Sequence, residues 1–263
     1  MSTAEELIER GLAAATGVGC HVIVQHKSVA NARFARSTLT TNGETVGQSV
    51  TVVAFVETGG GIATASLTAS NPAAADMPAL VARAEASAGA NEPAQDAAPF
   101  VVDPHGADDW ADPVERATSV DLMDVTPRLG VLLDRGRADG LEHFGYVEQD
   151  VTTTYLGTSS GVRRRSVESL GRFEITAKSH GRSRSTWVGR STGHVRDVDV
   201  EAVDTELRQG LAWQERTVAM PAGRHTALLS PSATADLMID LLMYSDGESA
   251  ADGASAWSKP GGG

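Results

Sequence analysis

The spacing of apolar and polar positions along this chain changes period several times, and each change marks an element. Leu7, Ile8, Leu12 and Ala15 recur at helical spacing opposite Glu5, Glu6, Glu9 and Arg10, and Ser2 with Glu5 three residues on predicts a capping box. Gly17 and Gly19 end that helix. From Cys20 to Ser70 the period drops to two. Residues 50–57 and 62–68, joined by Thr58-Gly59-Gly60-Gly61, predict a hairpin within an antiparallel meander. Asn71-Pro72 stops the sheet, and a helix over 77–88 carries Leu80, Val81, Ala84 and Ala88 on one side.

Residues 89–112, rich in Ala, Asp, Pro and Gly, predict a long surface loop anchored by Phe100, Val101, Val102 and Trp110. Pro127 opens a third helix with Leu129, Leu132 and Leu133 inward and Gly140 at its end. A second β block runs from 144 to 191, with turns expected at Ser159-Ser160-Gly161 and Ser169-Leu170-Gly171. After Asp199, Val200, Val203, Leu207 and Leu211 form one helical stripe. A last helix starts at Ser230-Pro231, with Leu237, Met238, Leu241 and Leu242 as its inner face. Helices and antiparallel strands come in blocks, so the fold class is α+β, an antiparallel sheet with helices packed against it. The expected division is an α+β domain over 1–225, with 89–119 as surface loop or linker, and a strand-helix segment over 226–263.

Charge narrows the function. With 34 acidic and 22 basic residues the formal charge is -12, which repels phosphate, so no nucleic-acid partner is expected. One cysteine, Cys20, allows no intrachain disulfide and fits a reducing compartment. The start lacks the pattern of a signal peptide, and no apolar run approaches the roughly 18 residues of a membrane span. The expectation is a cytoplasmic protein with no membrane partner.

No catalytic set emerges from spacing. His21, His26, His105, His143, His180, His194 and His225 include no i,i+4 pair, and strand alternation puts His21 and His26 on opposite faces. Adjacent Cys20 and His21 also face apart. Gly59-Gly60-Gly61 joins two strands rather than opening a helix, so it is no phosphate cradle. Positive charge gathers at Arg163-Arg164-Arg165, with Arg172, Arg182, Arg184 and Arg190, where alternate side chains make a stripe able to hold an acidic peptide or a partner. Glu148 and Asp150 share one strand face. Arg163, Arg165, Glu148 and Asp150 are therefore the candidate peptide or partner contacts, weighed against an ordinary solvated sheet.

Several stretches, in order, resemble the TldD/PmbA family, the proteins called modulators of DNA gyrase. They are Arg33-Phe34-Ala35-Arg36-Ser37 running to Thr41-Asn42-Gly43, then Gly145-Tyr146-Val147-Glu148-Gln149-Asp150 through Tyr155-Leu156-Gly157-Thr158-Ser159-Ser160-Gly161-Val162-Arg163, and the closing Ala256-Trp257-Ser258-Lys259-Pro260-Gly261. The resemblance covers almost the whole chain as the N-terminal half of such a protein. It implies an α+β N-terminal domain followed by a β-rich C-terminal domain, and the Pro-Gly-rich end is expected to be a connector cut before that domain. It further implies a cytosolic heterodimer that degrades unfolded peptides and trims precursor peptides.

In that family zinc is held only by the TldD-type subunit, through a His-Glu-x-x-x-His helix that follows a strand. The matching strand here is residues 226–229 and the matching motif is 239–244, where Ile239 and Tyr244 replace the histidines and Asp240 the glutamate. An acid without a metal-bound water has nothing to activate. The resemblance thus implies a non-catalytic TldE/PmbA-like subunit, with no catalytic or metal residue of its own, zinc in a TldD-type partner, and peptides as substrates. The alternative is a stand-alone peptide-binding module working through residues 163–190.

Overall fold

A computed structural model describes residues 2–103 and 106–259. His105 and the closing Pro260-Gly261 lie outside the described residues. The chain divides into two units, Met1–Arg216 and Thr217–Gly263.

In the first unit six antiparallel strands form a single sheet in the order β3-β2-β1-β4-β5-β6. They are β1 (Gly19–Ala35), β2 (Thr38–Thr58), β3 (Gly61–Ser70), β4 (Glu142–Thr158), β5 (Arg163–Ser179) and β6 (Arg184–Thr192). The expected meander is β1-β2-β3, with the β2-β3 turn at Gly59-Gly60. β1 then pairs β4 on its other side, so the two β blocks join into one sheet. Ser169-Leu170-Gly171 is not a turn. These residues sit inside the continuous strand β5, and the glycine is there for space, because a Cβ on Gly171 would lie 2.1 Å from the Val195 nitrogen. The turn out of β5 is His180-Gly181-Arg182, all at positive φ.

Four helices cover one face: α1 (Ala4–Ala14), α2 (Met77–Gly89), α3 (Val125–Ala138) and α4 (Val200–Trp213). The capping box of α1 uses Thr3 and Glu6, one residue later than Ser2 and Glu5, because the Ser2 hydroxyl accepts from the Ala74 N–H at 3.0 Å instead. α1 and α2 bury Leu7, Ile8, Met77, Leu80 and Val81 against Val22, Val24, Val50 and Val52. α3 and α4 bury Leu129, Leu132, Val203 and Leu207 against Ala30, Phe34, Phe173 and Ile175. Each such side chain contributes roughly 1.5–3 kcal/mol when fully buried. Even-numbered residues of β1 face both clusters, so both helix pairs lie on the same side of the sheet. Between the clusters runs a polar seam of Gln48, His26 and Thr153, adjacent in register.

The described residues of 90–118 contain no helix or strand and strap one end of the sheet. Phe100 packs on Phe55 and His21, and Trp110 meets the Tyr155 ring edge-on at 5.4 Å. The Ala117 N–H donates to the buried Ser28 hydroxyl at 2.8 Å.

The second unit holds α5 (Pro231–Met243) and α6 (Gly247–Ala251). Ser230 caps α5, accepting from the Ala233 N–H, with Pro231 at the first helical position. Residues 226–229 form no strand, and among the described residues this unit contains no other strand to supply a ladder. Leu237, Met238, Leu241 and Leu242 are exposed rather than inward, as are Ile239 and Met243: the helix is apolar around much of its circumference, and none of its residues is buried.

Candidate functional site

Strand alternation splits the four candidate contacts between two faces. Arg163 and Arg165 pair with Gly157 and Tyr155, on the face that carries the helices. Arg163 donates to Glu9 of α1 at 2.8 Å. The Arg165 side chain is only 4% exposed. It donates to Asp109 at 3.0 Å and to the Pro113 carbonyl, and its guanidinium stands 5.8 Å from the Tyr155 ring centre. Both arginines fasten the chain's own strap and helix.

Glu148 and Asp150 lie on the opposite face, which among the described residues carries no helix of this unit. Each is paired: Lys27 meets Asp150 at 2.8 Å and Arg172 meets Glu148 at 3.3 Å. Tyr146, next on that face, donates its hydroxyl to Glu174 at 2.7 Å, and Arg33 stacks over the Tyr146 ring. Burial and the Glu174 carboxylate hold the Tyr146 hydroxyl above its usual pKa, keeping it a donor. The result is a ladder of alternating cations and anions across β1, β4 and β5, a mixed-charge platform rather than a positive stripe. Of the other arginines, Arg182 pairs with Glu142, Arg190 with Glu206 and Arg164 with Asp103.

The polar seam on the helix side is the second concentration of chemistry. A cavity of 390 Å³ opens there, lined by Ser2, Thr3, His26, Trp110, Arg116 and Tyr155. Gln48 donates to the Ser2 carbonyl at 3.1 Å and to His26 Nε2 at 3.2 Å. Burial, and then Arg116, push the His26 pKa down, so the ring stays neutral. The Gln48 Oε1 and Thr153 Oγ1 are buried without a partner among the described residues. The hydrogen bond of the His26 ring runs to the Gln48 amide, and among the described residues no carboxylate hydrogen-bonds the ring as in a triad.

Cys20 faces the apolar core, and burial followed by the Glu85 charge pushes its thiol up to about 11. A protonated thiol is a poor nucleophile. His21 points to the other face against Phe55, as alternation requires. Sequence reasoning missed the buried pair Ser37 and His143. Their only sequence signal is Gly136, whose missing side chain makes room for the His143 ring.

Residues 239–244 fall at the end of α5, with Tyr244 as its C-cap. Isoleucine and tyrosine offer no imidazole, and one turn supplies only Asp236 and Asp240, so the donor set does not fit a zinc ion. Among the described residues no group of three or more His, Cys, Asp and Glu side chains could hold a metal. No described helix is long and apolar enough to cross a membrane.

These features define an α+β protein whose curved antiparallel sheet carries two helix pairs on one face. No protein-family model matches the chain, and no curated protein matches it. Solved structures do. TldE from Thermococcus kodakarensis superposes with a TM-score of 0.60 at 13% identity, over 80% of this chain and 47% of that one. A candidate modulator of DNA gyrase from Bacteroides thetaiotaomicron gives 0.68 at 10% identity, over 95% and 57%. Another from Thermotoga maritima gives 0.62 at 14%, over 84% and 50%. The chain therefore has the fold of TldE and the gyrase-modulator proteins, as its motifs led one to expect, and it spans about half the length of those it matches.

Proposed function

We propose that this chain acts as a TldE-like, metal-free subunit that helps wall the peptide chamber of a cytosolic protease whose zinc sits in a TldD-type partner. The observation that carries the reading is α5. Residues 239–244, which the resemblance matches to the metal motif, fall at the end of α5 without the expected strand over 226–229 before it, and they offer Ile239 and Tyr244 in place of imidazoles. The shared fold with a TldE supports it. So does the mixed-charge platform of Lys27, Asp150, Glu148 and Arg172, which offers polar anchors to a peptide backbone without selecting one sign of charge. The alternative, a stand-alone module binding acidic peptides through residues 163–190, is weakened by the ion pairs that already occupy those arginines.

Reconstitution tests the proposal. Peptide cleavage by a TldD-type partner is compared with and without this chain, and with chelator. Cleavage that needs both chains and is lost on zinc removal is expected. Full activity of the partner alone would dismiss a required role, and turnover by this chain alone would dismiss the metal-free one.

A further inference from the structure

The cavity between the start of α1, the strap and the sheet is walled by charged groups that the fold itself does not use. Arg116 and Asp112 reach it from the strap, and Glu5 from the first turn of α1. Among the described residues none of the three forms an ion pair, with one another or elsewhere. On the neighbouring strand, by contrast, Arg163, Arg165 and Arg172 are each joined to a carboxylate. One cation and two acids are therefore held apart around a single space.

His26 adds a fixed donor to that space. Gln48 Nε2 donates to the Ser2 carbonyl, which can only accept, so its second N–H must be donated to His26 Nε2. The ring proton then sits on Nδ1, which has no hydrogen-bond partner among the described residues. The capping box of α1 engages Thr3 and Glu6, leaving the Ala4 and Glu5 N–H groups, also at the cavity wall, free. In register with His26 and on the same face, Gln48 Oε1 and Thr153 Oγ1 are buried without a partner. A finished interior pairs such atoms, so unused donors and acceptors around one cavity mark a place for a polar ligand. The remaining wall is aromatic. Tyr155 meets Trp110 edge-on at 5.4 Å and His26 edge-on at 6.0 Å.

We propose that this cavity binds a free aromatic α-amino acid as its zwitterion. The ligand carboxylate accepts from Arg116, from His26 Nδ1–H and from the open N–H groups of α1. Its ammonium donates to Glu5 and Asp112, and its ring joins Trp110 and Tyr155 at the separations aromatic clusters prefer. A purely anionic ligand would set its charge against Glu5 and Asp112, and a purely cationic one would face Arg116, each at the cost of a like-charge contact. At 390 Å³ the cavity lies near the small end of the roughly 300–1,000 Å³ range of ligand sites, which favours a single amino acid over a peptide. The site is on the helix-bearing face, opposite the mixed-charge platform, and does not depend on the proposed subunit role.

Calorimetric titration of the full chain tests the proposal. L-phenylalanine and L-tyrosine are expected to bind saturably. 3-Phenylpropanoate, which lacks the ammonium, and 2-phenylethylamine, which lacks the carboxylate, are expected to bind at least about tenfold more weakly. Arg116→Gln is expected to weaken phenylalanine about tenfold and to leave 2-phenylethylamine unchanged. Glu5→Gln with Asp112→Asn is expected to weaken phenylalanine without weakening 3-phenylpropanoate. All three positions are exposed, so both variants are expected to keep the circular dichroism spectrum of the unmodified chain. No saturable binding of either amino acid up to about 10 mM, or truncated analogues that bind the unmodified chain as well as phenylalanine, would overturn the proposal. Alanyl-phenylalanine or phenylalanyl-alanine binding as tightly as phenylalanine would assign the cavity to a peptide end and overturn it too. None of these outcomes bears on the reconstitution with a zinc subunit.

Discussion

Ser37 and His143 are fastened to each other twice through the backbone. The Ser37 N–H donates to the His143 carbonyl at 2.9 Å, and the His143 N–H donates to the Ser37 hydroxyl at 3.0 Å. The hydroxyl also faces His143 Nδ1 at 3.2 Å. Both residues are buried, so the β1-β2 turn is pinned to β4 by groups that water cannot replace. Ser37→Ala is expected to cost about 1–3 kcal/mol, measured by denaturant unfolding, because a buried N–H and ring nitrogen lose their partner.

The same histidine gives the fold a pH dependence. Burial holds the His143 pKa below its ordinary value of about 6.5, opposed by Asp204 and assisted by Arg208. The unfolded chain therefore takes up protons first. Stability is complete above the unfolded pKa and declines as pH falls below it. His21 and His26, also depressed by burial, act in the same direction. The stability gap between the unmodified chain and His143→Gln is expected to narrow from pH 7 toward about pH 5. A gap that stays constant would mean that His143 protonates equally in both states.

Cys20 reports on global opening. With its thiol buried and its pKa raised to about 11, a disulfide reagent at neutral pH is expected to label it at the rate of unfolding and not of thiol exchange. Labelling that follows the rate of a free thiol would place Cys20 at the surface.

Two glycines separate space from flexibility. Gly171→Ala forces a methyl into the backbone of Val195 and is expected to destabilise by about 3 kcal/mol or more. Gly130→Ala, within α3 and free of neighbours, is expected to stabilise by about 0.5–1 kcal/mol through helix propensity. Thermal melts of the two variants check both signs.

Arg165 and Arg172 look alike in sequence and differ in burial. Arg165→Ala is expected to loosen the strap at Asp109 and Pro113 and to speed proteolysis there, at a cost of about 1–3 kcal/mol. Arg172→Ala, whose own side chain is 41% exposed but whose partner Glu148 is only 14% exposed, is expected to cost less than Arg165→Ala, about 1 kcal/mol.

Much of the scaffold was legible beforehand because it is periodic. The stripe Val200, Val203, Leu207 and Leu211 is buried as its spacing predicts, and so are Leu80, Val81, Ala84 and Ala88. The turn at Ser169-Leu170-Gly171 failed because serine and glycine signal a turn and a close approach alike, and only the neighbour Val195 distinguishes them. The stripe on α5 failed for another reason. An apolar face shows that a helix wants cover, and nothing local shows whether the cover lies in the same unit. Among the candidate contacts, alternation placed Glu148 with Asp150, but their partners Arg172 and Lys27 come from other strands.

The residues alone determined most of the helices and strands and which side chains share a strand face, since propensity, capping and alternation act within a few residues. Tertiary structure decided that β1 lies between β2 and β4, that Arg165 serves its own strap, and that Ser37 meets His143. Those outcomes depend on pairings between distant parts of the chain, where burial and hydrogen bonding compete across the whole sheet and no local spacing records the winner.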